Sequence, residues 1–313
     1  MSHDVVIIGG GPAGAAGALA CARRGWRVAL VDPLGIGGQL MNVERLDDVP
    51  GHSGGVAGWD LVAALGEQVL DAGVELVMGR AGALGAKTGA WQVEVDGRLL
   101  DARAVLVATG VRPRRVPTAG GEELEGRGVS YCAACDAGLA AGRPVVVVGG
   151  GDTAMAEARA RAAVAEGVTV VFPEAEPPAA AAWTREVRAL PNVTFRPGGR
   201  VLQVSLAADG QVELDVEMVL EVEQPGTAGA ERLATGAVFV ATGGLPASEA
   251  VAAVLELDDD GFVVADAALA CPGAPGVFVA GDVRAGAPRQ AVTALGEGTA
   301  AALAIDAYLR TSR

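Results

Sequence analysis

The chain has 313 residues, about half of them apolar, and a formal net charge of −14. That length carries two domains with cores of their own, and that charge argues against a nucleic acid or an anionic membrane surface as partner. With two histidines in all, a zinc site or a Ser–His–Asp hydrolase is not expected, and four cysteines suggest redox chemistry more than a disulfide framework.

Met1–Asp4 leads directly into the apolar run Val5–Ile8 and a glycine loop, so no signal peptide is expected. No segment is long and apolar enough to span a bilayer, and the expected compartment is the cytoplasm. Val5–Ile8 reads as a buried parallel strand. Gly9-Gly10-Gly11-Pro12-Ala13-Gly14 follows it, then an alanine-rich helix to about Arg24. The spacing is G-x-G-x-x-G. Gly9 permits the tight turn, Gly11 lets a pyrophosphate approach the backbone at the helix N-terminus, and Gly14 lets helix and strand pack closely. A second strand, Arg27–Val31, ends in Asp32, 21 residues after Gly11, where an acid bonding a ribose hydroxyl is expected.

Further along, a polar hairpin-like stretch at 91–100 and the Ala-Thr-Gly turn Ala108–Gly110 precede the run Cys132-Ala133-Ala134-Cys135-Asp136. Two cysteines at that spacing can close a small disulfide ring, and the acid beside them can move a proton. With a flavin-type loop elsewhere in the chain, the run reads as the redox centre of a flavin disulfide oxidoreductase. The nucleotide pattern then returns: strand Val145–Val148, the loop Gly149-Gly150-Gly151-Asp152-Thr153-Ala154, a helix to about Ala165 and a strand at Val168–Phe172. The residues Gly149, Gly151, Asp152, Thr153 and Ala154 are candidates for a second nucleotide. A hairpin-like stretch at 211–222, a loop over Gln224–Arg232, a second Ala-Thr-Gly turn at Ala241–Gly243 and a C-terminal helix over about Arg289–Leu309 complete the pattern. The two Ala-Thr-Gly turns look like crossings between domains.

The expected fold is therefore α/β: two Rossmann-like, three-layer nucleotide-binding domains, the second inserted into the first, each with a small β-meander. The first, carrying the flavin-type loop, is discontinuous over 1–111 and 243–313. The second, an NAD(P)H-like and redox-disulfide domain, covers 112–242. Cys21, within the first helix, reads as core filler, and Cys271, in a loop, as a packing or exposed thiol.

Along nearly its whole length the chain resembles the bacterial low-molecular-weight thioredoxin reductases, which are FAD-dependent pyridine nucleotide-disulfide oxidoreductases. Gly37-Gly38-Gln39-Leu40 is similar to that family's flavin-contacting GGQL. Gly126–Asp136 resembles its GRGVS-x-CATCD, Gly276–Val283 the segment whose acid (here Asp282, after Gly281) binds the flavin ribityl chain, and Arg289-Gln290-Ala291-Val292 the run beneath the isoalloxazine. The resemblance implies FAD as cofactor, held by Gly9, Gly11, Pro12, Ala13, Gly14, Asp32, Gly38, Gln39, Leu40, Thr109, Gly110, Gly281, Asp282, Arg289, Gln290 and Ala291. It implies a homodimer and a thioredoxin-like protein, or a small disulfide or dithiol, as partner. It also implies that Cys132 is the interchange thiol, Cys135 the flavin-side thiol and Asp136 the acid–base. A thiolate is the attacking species, so a working pair needs a thiolate stabilised relative to an ordinary cysteine at ~8.5.

The resemblance breaks at the electron donor. Family members that use NADPH follow the second strand of the inserted domain with a His-Arg-Arg-x-x-x-Arg cluster that holds the 2′-phosphate. Here the stretch is Phe172-Pro173-Glu174-Ala175-Glu176-Pro177-Pro178, with two carboxylates and no arginine. Glu174 lies 23 residues after Gly151, placing it either on a ribose diol, favouring NADH, or in a solvated acidic loop. NADH, weakly bound NADPH and a ferredoxin-like protein are the donors left open. The alternative activity is an O2-dependent dithiol oxidase closing disulfides in a small molecule, although such oxidases commonly carry Cys-Pro-Tyr-Cys-His in place of the present run.

Overall fold

The computed structural model describes residues 2–115, 120–131, 136–206, 218–223 and 230–312. The chain divides into two compact units, one formed by residues up to Arg112 and from Leu245 onward, the other by Pro113–Gly244. In chain order the first unit begins with β1 (Ser2–Ile8), α1 (Pro12–Ala22), β2 (Val28–Asp32), α2 (Gly58–Asp71), β3 (Glu75–Met78), β4 (Ala81–Lys87), β5 (Ala90–Val95) and β6 (Arg98–Val107). The first crossing is β7 (Val111–Pro113). The second unit contains β8 (Val129–Ser130), β9 (Pro144–Val148), α3 (Asp152–Ala162), β10 (Gly167–Phe172), α4 (Ala181–Arg188), β11 (Val193–Pro197), β12 (Arg200–Leu206), β13 (Met218–Glu223), β14 (Ala230–Thr235) and β15 (Ala237–Val240). The return crossing β16 (Gly244–Pro246) pairs with β7, and β17 (Val277–Val279) and α5 (Ala291–Thr311) complete the first unit.

In the first unit one seven-stranded sheet runs β3-β2-β1-β6-β5-β4, with β17 also paired to β6. The expected meander is not a separate layer beside this sheet. The long β6 does both jobs: Arg98–Ala102 pairs antiparallel with β5, while Val105–Val107 pairs parallel with β17. Alternation along β1 assigns its faces. Val5 and Ile7 join α1 and α5 in one core, whereas Val6 and Ile8 join Leu84, Val93, Val263 and Val279 in another. Both faces are covered, which is why the run reads as continuously apolar. Each fully buried side chain of this kind contributes about 1.5–3 kcal/mol.

The second unit repeats the plan with an all-parallel sheet, β11-β10-β9-β15-β8. Val145, Val147, Val170 and Phe172 face α3 and α4, while Val146, Val148 and Val171 face Leu124 and Val204 of β12. Here the meander is its own three-stranded antiparallel sheet, β12-β13-β14. The loop expected over Gln224–Arg232 is shorter than its composition suggested. Glu223 pairs with Ala230, so β14 already includes residues 230–232. Residues 224–229, and 211–217 of the expected hairpin, lie outside the described residues.

Cys21 and Cys271 are both buried, and burial pushes each thiol up to about 12. Neither reaches the thiolate form near neutrality. Among the described residues no helix is long and apolar enough to cross a membrane.

Candidate functional site

The first glycine loop leaves the carboxyl end of β1, and each glycine has its own reason. Gly9 adopts φ +108°, and a Cβ there would lie 2.3 Å from the Ala108 carbonyl oxygen. At Gly14 a Cβ would lie 1.8 Å from the Gly9 oxygen, so α1 can start this close to the loop only without a side chain. Gly11 differs from both. It has ordinary extended angles (φ −68°, ψ −176°), and the nearest atom to a Cβ would be Gly38 Cα at 3.9 Å. No part of the fold requires glycine there, and the space over it is left open.

The other residues expected at this site gather around the loop. Asp32 ends β2, its Oδ2 accepting the Gly10 N–H at 2.8 Å and its Oδ1 the Leu34 N–H at 2.8 Å. Both carboxylate oxygens keep acceptor capacity. Gly38 begins a 3₁₀ turn, Gly38–Asn42, that passes so near Gly11 that a Cβ on Gly38 would lie 2.8 Å from the Gly11 Cα. Gln39 Nε2 donates to the Val111 oxygen at 2.8 Å, and Leu40 is buried. α1 begins at Pro12-Ala13 with no side-chain cap and no acid in its first turn, so its positive end is uncompensated. Thr109 Oγ1, next to Gly110 at the end of β6, is buried without a hydrogen-bond partner.

Gly281 and Asp282 form a turn after β17. Gly281 has φ +77°, and a Cβ there would be 2.8 Å from Ala13 Cβ. Burial pushes the Asp282 carboxyl above its ordinary value; Arg289 lowers it and Glu297 raises it further. Arg289 holds a left-handed backbone (φ +59°) with its guanidinium 4.8 Å from the Phe262 ring, and Gln290 caps α5, which starts at Ala291.

The second glycine loop is built on the same scaffold. Gly149 N–H donates to the Val171 oxygen at 2.8 Å as Gly9 N–H donates to the Val31 oxygen at 2.9 Å. A Cβ on Gly149 (φ +133°) would meet the Ala241 oxygen at 2.2 Å, and one on Gly151 would meet nothing within 4 Å. Asp152, Thr153 and Ala154 open α3. This correspondence places Phe172 where the first unit has Asp32. Phe172 is fully buried, set edge-on to Phe195 with ring centroids 5.8 Å apart. At this loop a side-chain tether runs the other way, the Ala180 N–H donating to Asp152 Oδ1 at 2.7 Å. Glu174 is exposed, two residues beyond the end of β10, and Glu176 pairs with Arg188 at 2.8 Å. A hollow of about 590 Å³ lies against this segment, lined by Glu176, Pro177, Thr184, Arg185 and Arg188. The arginine Arg188 is committed to Glu176 and to the Phe195 ring, 5.2 Å from its Cζ.

Cys132 and Cys135 lie outside the described residues. Their N-terminal flank is described: β8 is the edge strand of the parallel sheet and is followed by Tyr131. Asp136, half-buried, precedes the 3₁₀ turn Ala137–Ala140, and its carbonyl accepts the Leu139 N–H at 2.9 Å.

Two glycine loops, each leaving the carboxyl end of a parallel strand, one with its strand-end acid, define a protein with two dinucleotide-binding folds. The sequence matches the pyridine nucleotide-disulphide oxidoreductase family over residues 3–298. It is 34% identical to the thioredoxin reductase of Mycolicibacterium smegmatis, covering 98% of this chain and 96% of that protein, and 32% identical to that of Peptoclostridium acidaminophilum, covering 99% and 98%. The crystal structure of Lactococcus lactis thioredoxin reductase superposes with a TM-score of 0.93 at 26% identity, covering 99% of this chain and 100% of that one. The chain belongs to the pyridine nucleotide-disulphide oxidoreductases and, within them, to the bacterial low-molecular-weight thioredoxin reductase family. It is a flavin-dependent disulfide oxidoreductase whose cofactor is FAD.

The residues fit that cofactor: the open space at Gly11, the uncompensated start of α1, the unpartnered Thr109 hydroxyl and the desolvated Asp282 carboxyl form a cradle with polar groups to spare. FAD supplies the two-electron exchange, and the protein supplies binding, orientation and proton handling. Gly11→Ala tests the cradle. The variant is expected to melt within roughly 2 °C of the parent, because the added methyl strikes nothing. Flavin binding should weaken at least ~10-fold, which corresponds to about 1.4 kcal/mol. Unchanged flavin retention, measured by fluorescence of the released cofactor, would show that nothing approaches the backbone at this point.

Proposed function

We propose that this protein is a thioredoxin reductase-like dithiol–disulfide oxidoreductase whose electrons do not come from NADPH in the ordinary way. Cys132 attacks the disulfide of a thioredoxin-like protein or a small molecule. Cys135 closes the resulting mixed disulfide and releases the substrate thiol, and Asp136 protonates the departing thiolate. FAD, when bound, would supply the two electrons that return the Cys132–Cys135 disulfide to the dithiol. FAD is held at the first glycine loop, Asp32, the Gly38–Leu40 turn, Thr109-Gly110, Gly281-Asp282 and the Arg289–Ala291 start of α5. The working assembly is a homodimer. Thioredoxin as the partner is supported by the relatives' names, one of which is a fused thioredoxin reductase/thioredoxin.

One observation carries the donor assignment. β10 ends on the buried Phe172 in the place of Asp32, and the chain continues through Pro173, Glu174 and Glu176 with no arginine before Arg185. A 2′-phosphate recognised by two charge-assisted hydrogen bonds gains about 1.5–3 kcal/mol from each. Their loss removes roughly 10²–10⁴ of NADPH preference, and the two glutamates add repulsion. NADH or a ferredoxin-like protein is the donor that remains.

Anaerobic stopped-flow mixing tests this reading. NADPH is expected to bleach the flavin no better than NADH, with kcat/KM values within about 10-fold of each other. If neither nucleotide bleaches it at millimolar levels, reduced ferredoxin should. NADPH saturating in the micromolar range with a 100-fold advantage over NADH would refute the donor assignment. Oxygen uptake with added dithiols and no nucleotide would instead establish the dithiol oxidase.

A further inference from the structure

We propose that Glu297 on α5 is a positioning residue for the flavin site: its carboxylate sets the Gly281–Asp282 turn and so the place from which Asp282 meets the cofactor. The proposal rests on the reading of Asp282 as a flavin-contacting side chain.

The geometry is a clamp across one turn. Glu297 Oε2 accepts the Gly281 N–H at 2.8 Å and Arg284 Nε at 3.2 Å, while Oε1 accepts Arg284 Nη2. A single carboxylate thus holds both ends of a turn whose middle is Asp282-Val283. The turn also closes on itself, with the Arg284 N–H donating to the Gly281 oxygen at 2.9 Å. Its position allows little play. Gly281 is pressed on Ala13, and a Cβ on Gly298, the residue after Glu297, would lie 2.0 Å from the Ala13 oxygen. Those contacts fix the height of α5 against α1, and with it the point from which Glu297 reaches the turn.

The ion pair is also mostly out of water, the Arg284 and Glu297 side chains being 20% and 16% exposed. Removing one partner leaves the other poorly solvated and the turn without its anchor. The charged groups that face Asp282 are Arg289, Glu297 and, through Glu297, Arg284. No acid stands in the first turn of α1 or α5. Glu297 therefore adds the nearby negative charge on this side of the turn, and Arg284 offsets it.

A purely structural tie would lower the melting temperature and leave the flavin environment unchanged, so the test reads both. Glu297→Ala and Glu297→Gln are compared with the parent and with Asp282→Asn, following thermal melting, the visible flavin absorption bands and flavin release by fluorescence. Glu297→Ala loses the amide acceptor and the charge, and is expected to weaken flavin retention by ~10-fold or more and to shift the absorption maxima. Glu297→Gln keeps an oxygen for the Gly281 N–H and should weaken retention by about 3-fold, a partial rescue. If Glu297→Ala does not fold, the Gln variant decides alone. Unaltered flavin bands and retention within ~2-fold in every folded Glu297 variant would overturn the proposal. If Asp282→Asn leaves retention unchanged while Glu297→Ala weakens it, the reading of Asp282 is what fails.

Discussion

A Cys135→Ser variant is expected to lose dithiol–disulfide turnover by on the order of 10³-fold or more while keeping its full complement of flavin. A serine hydroxyl is neither a thiolate near neutral pH nor able to close a disulfide with Cys132, so the route from flavin to substrate is cut at one atom. The other two thiols cannot stand in. Cys21 and Cys271 are buried and pushed up to about 12, which leaves a thiolate fraction on the order of 10⁻⁵ at neutrality. Turnover with a thioredoxin-type disulfide and flavin content from visible absorbance are the two measurements. A variant retaining more than about a tenth of parental turnover would sink the assignment. Loss of flavin alongside turnover would mean that the substitution had disturbed the fold as well as the chemistry.

Gly14→Val should destabilise the first unit by about 3 kcal/mol or more, toward the upper end of the range for overpacking. The reason is the identity of the obstacle. A Cβ at Gly14 would meet a backbone oxygen, that of Gly9, at 1.8 Å. No rotamer change relieves such a contact, so α1 must retreat from β1, and with it from α5, whose Gly298 is in turn pressed on Ala13. For a unit of this size the shift amounts to a melting temperature lower by roughly 6–12 °C. Gly66→Ala serves as the control. Gly66 lies inside α2 with nothing within 4 Å of a new Cβ, so helix propensity alone should stabilise it by about 1 kcal/mol. A Gly14→Val protein melting within about 2 °C of the parent would show that the first loop is far more yielding than its contacts indicate.

Much of this arrangement is legible along the chain because its causes are local. An apolar strand, a glycine where the backbone turns left-handed, a helix start and an acid closing the next strand occupy some thirty consecutive residues, and each constrains its neighbours. The same locality exposes the break in the second unit, since Phe172–Pro178 is read by charge alone. The Cys132–Asp136 run belongs here as well, its chemistry carried by residue type and spacing. What could not be read this way is what long-range contact decides. Glu297 comes sixteen residues after Gly281 in an alanine-rich helix and has no local mark beyond lying between two glycines. Its meaning appears only when α5 is laid against α1 and the carboxylate reaches the turn.

The two roles of β6 are of the same kind. A strand's apolar pattern states how many of its faces are buried, but not which neighbour each half will pair with. By itself, then, the sequence determined the two nucleotide loops, the redox run and the absence of phosphate-binding arginines after the second strand, because backbone geometry and side-chain charge are properties of short segments. Only the tertiary structure decided that Gly11 has open space over it while Gly14 has none, that Phe172 stands in the place of an acid, and that Glu297 holds the Gly281–Asp282 turn, because each depends on what approaches from elsewhere in the chain.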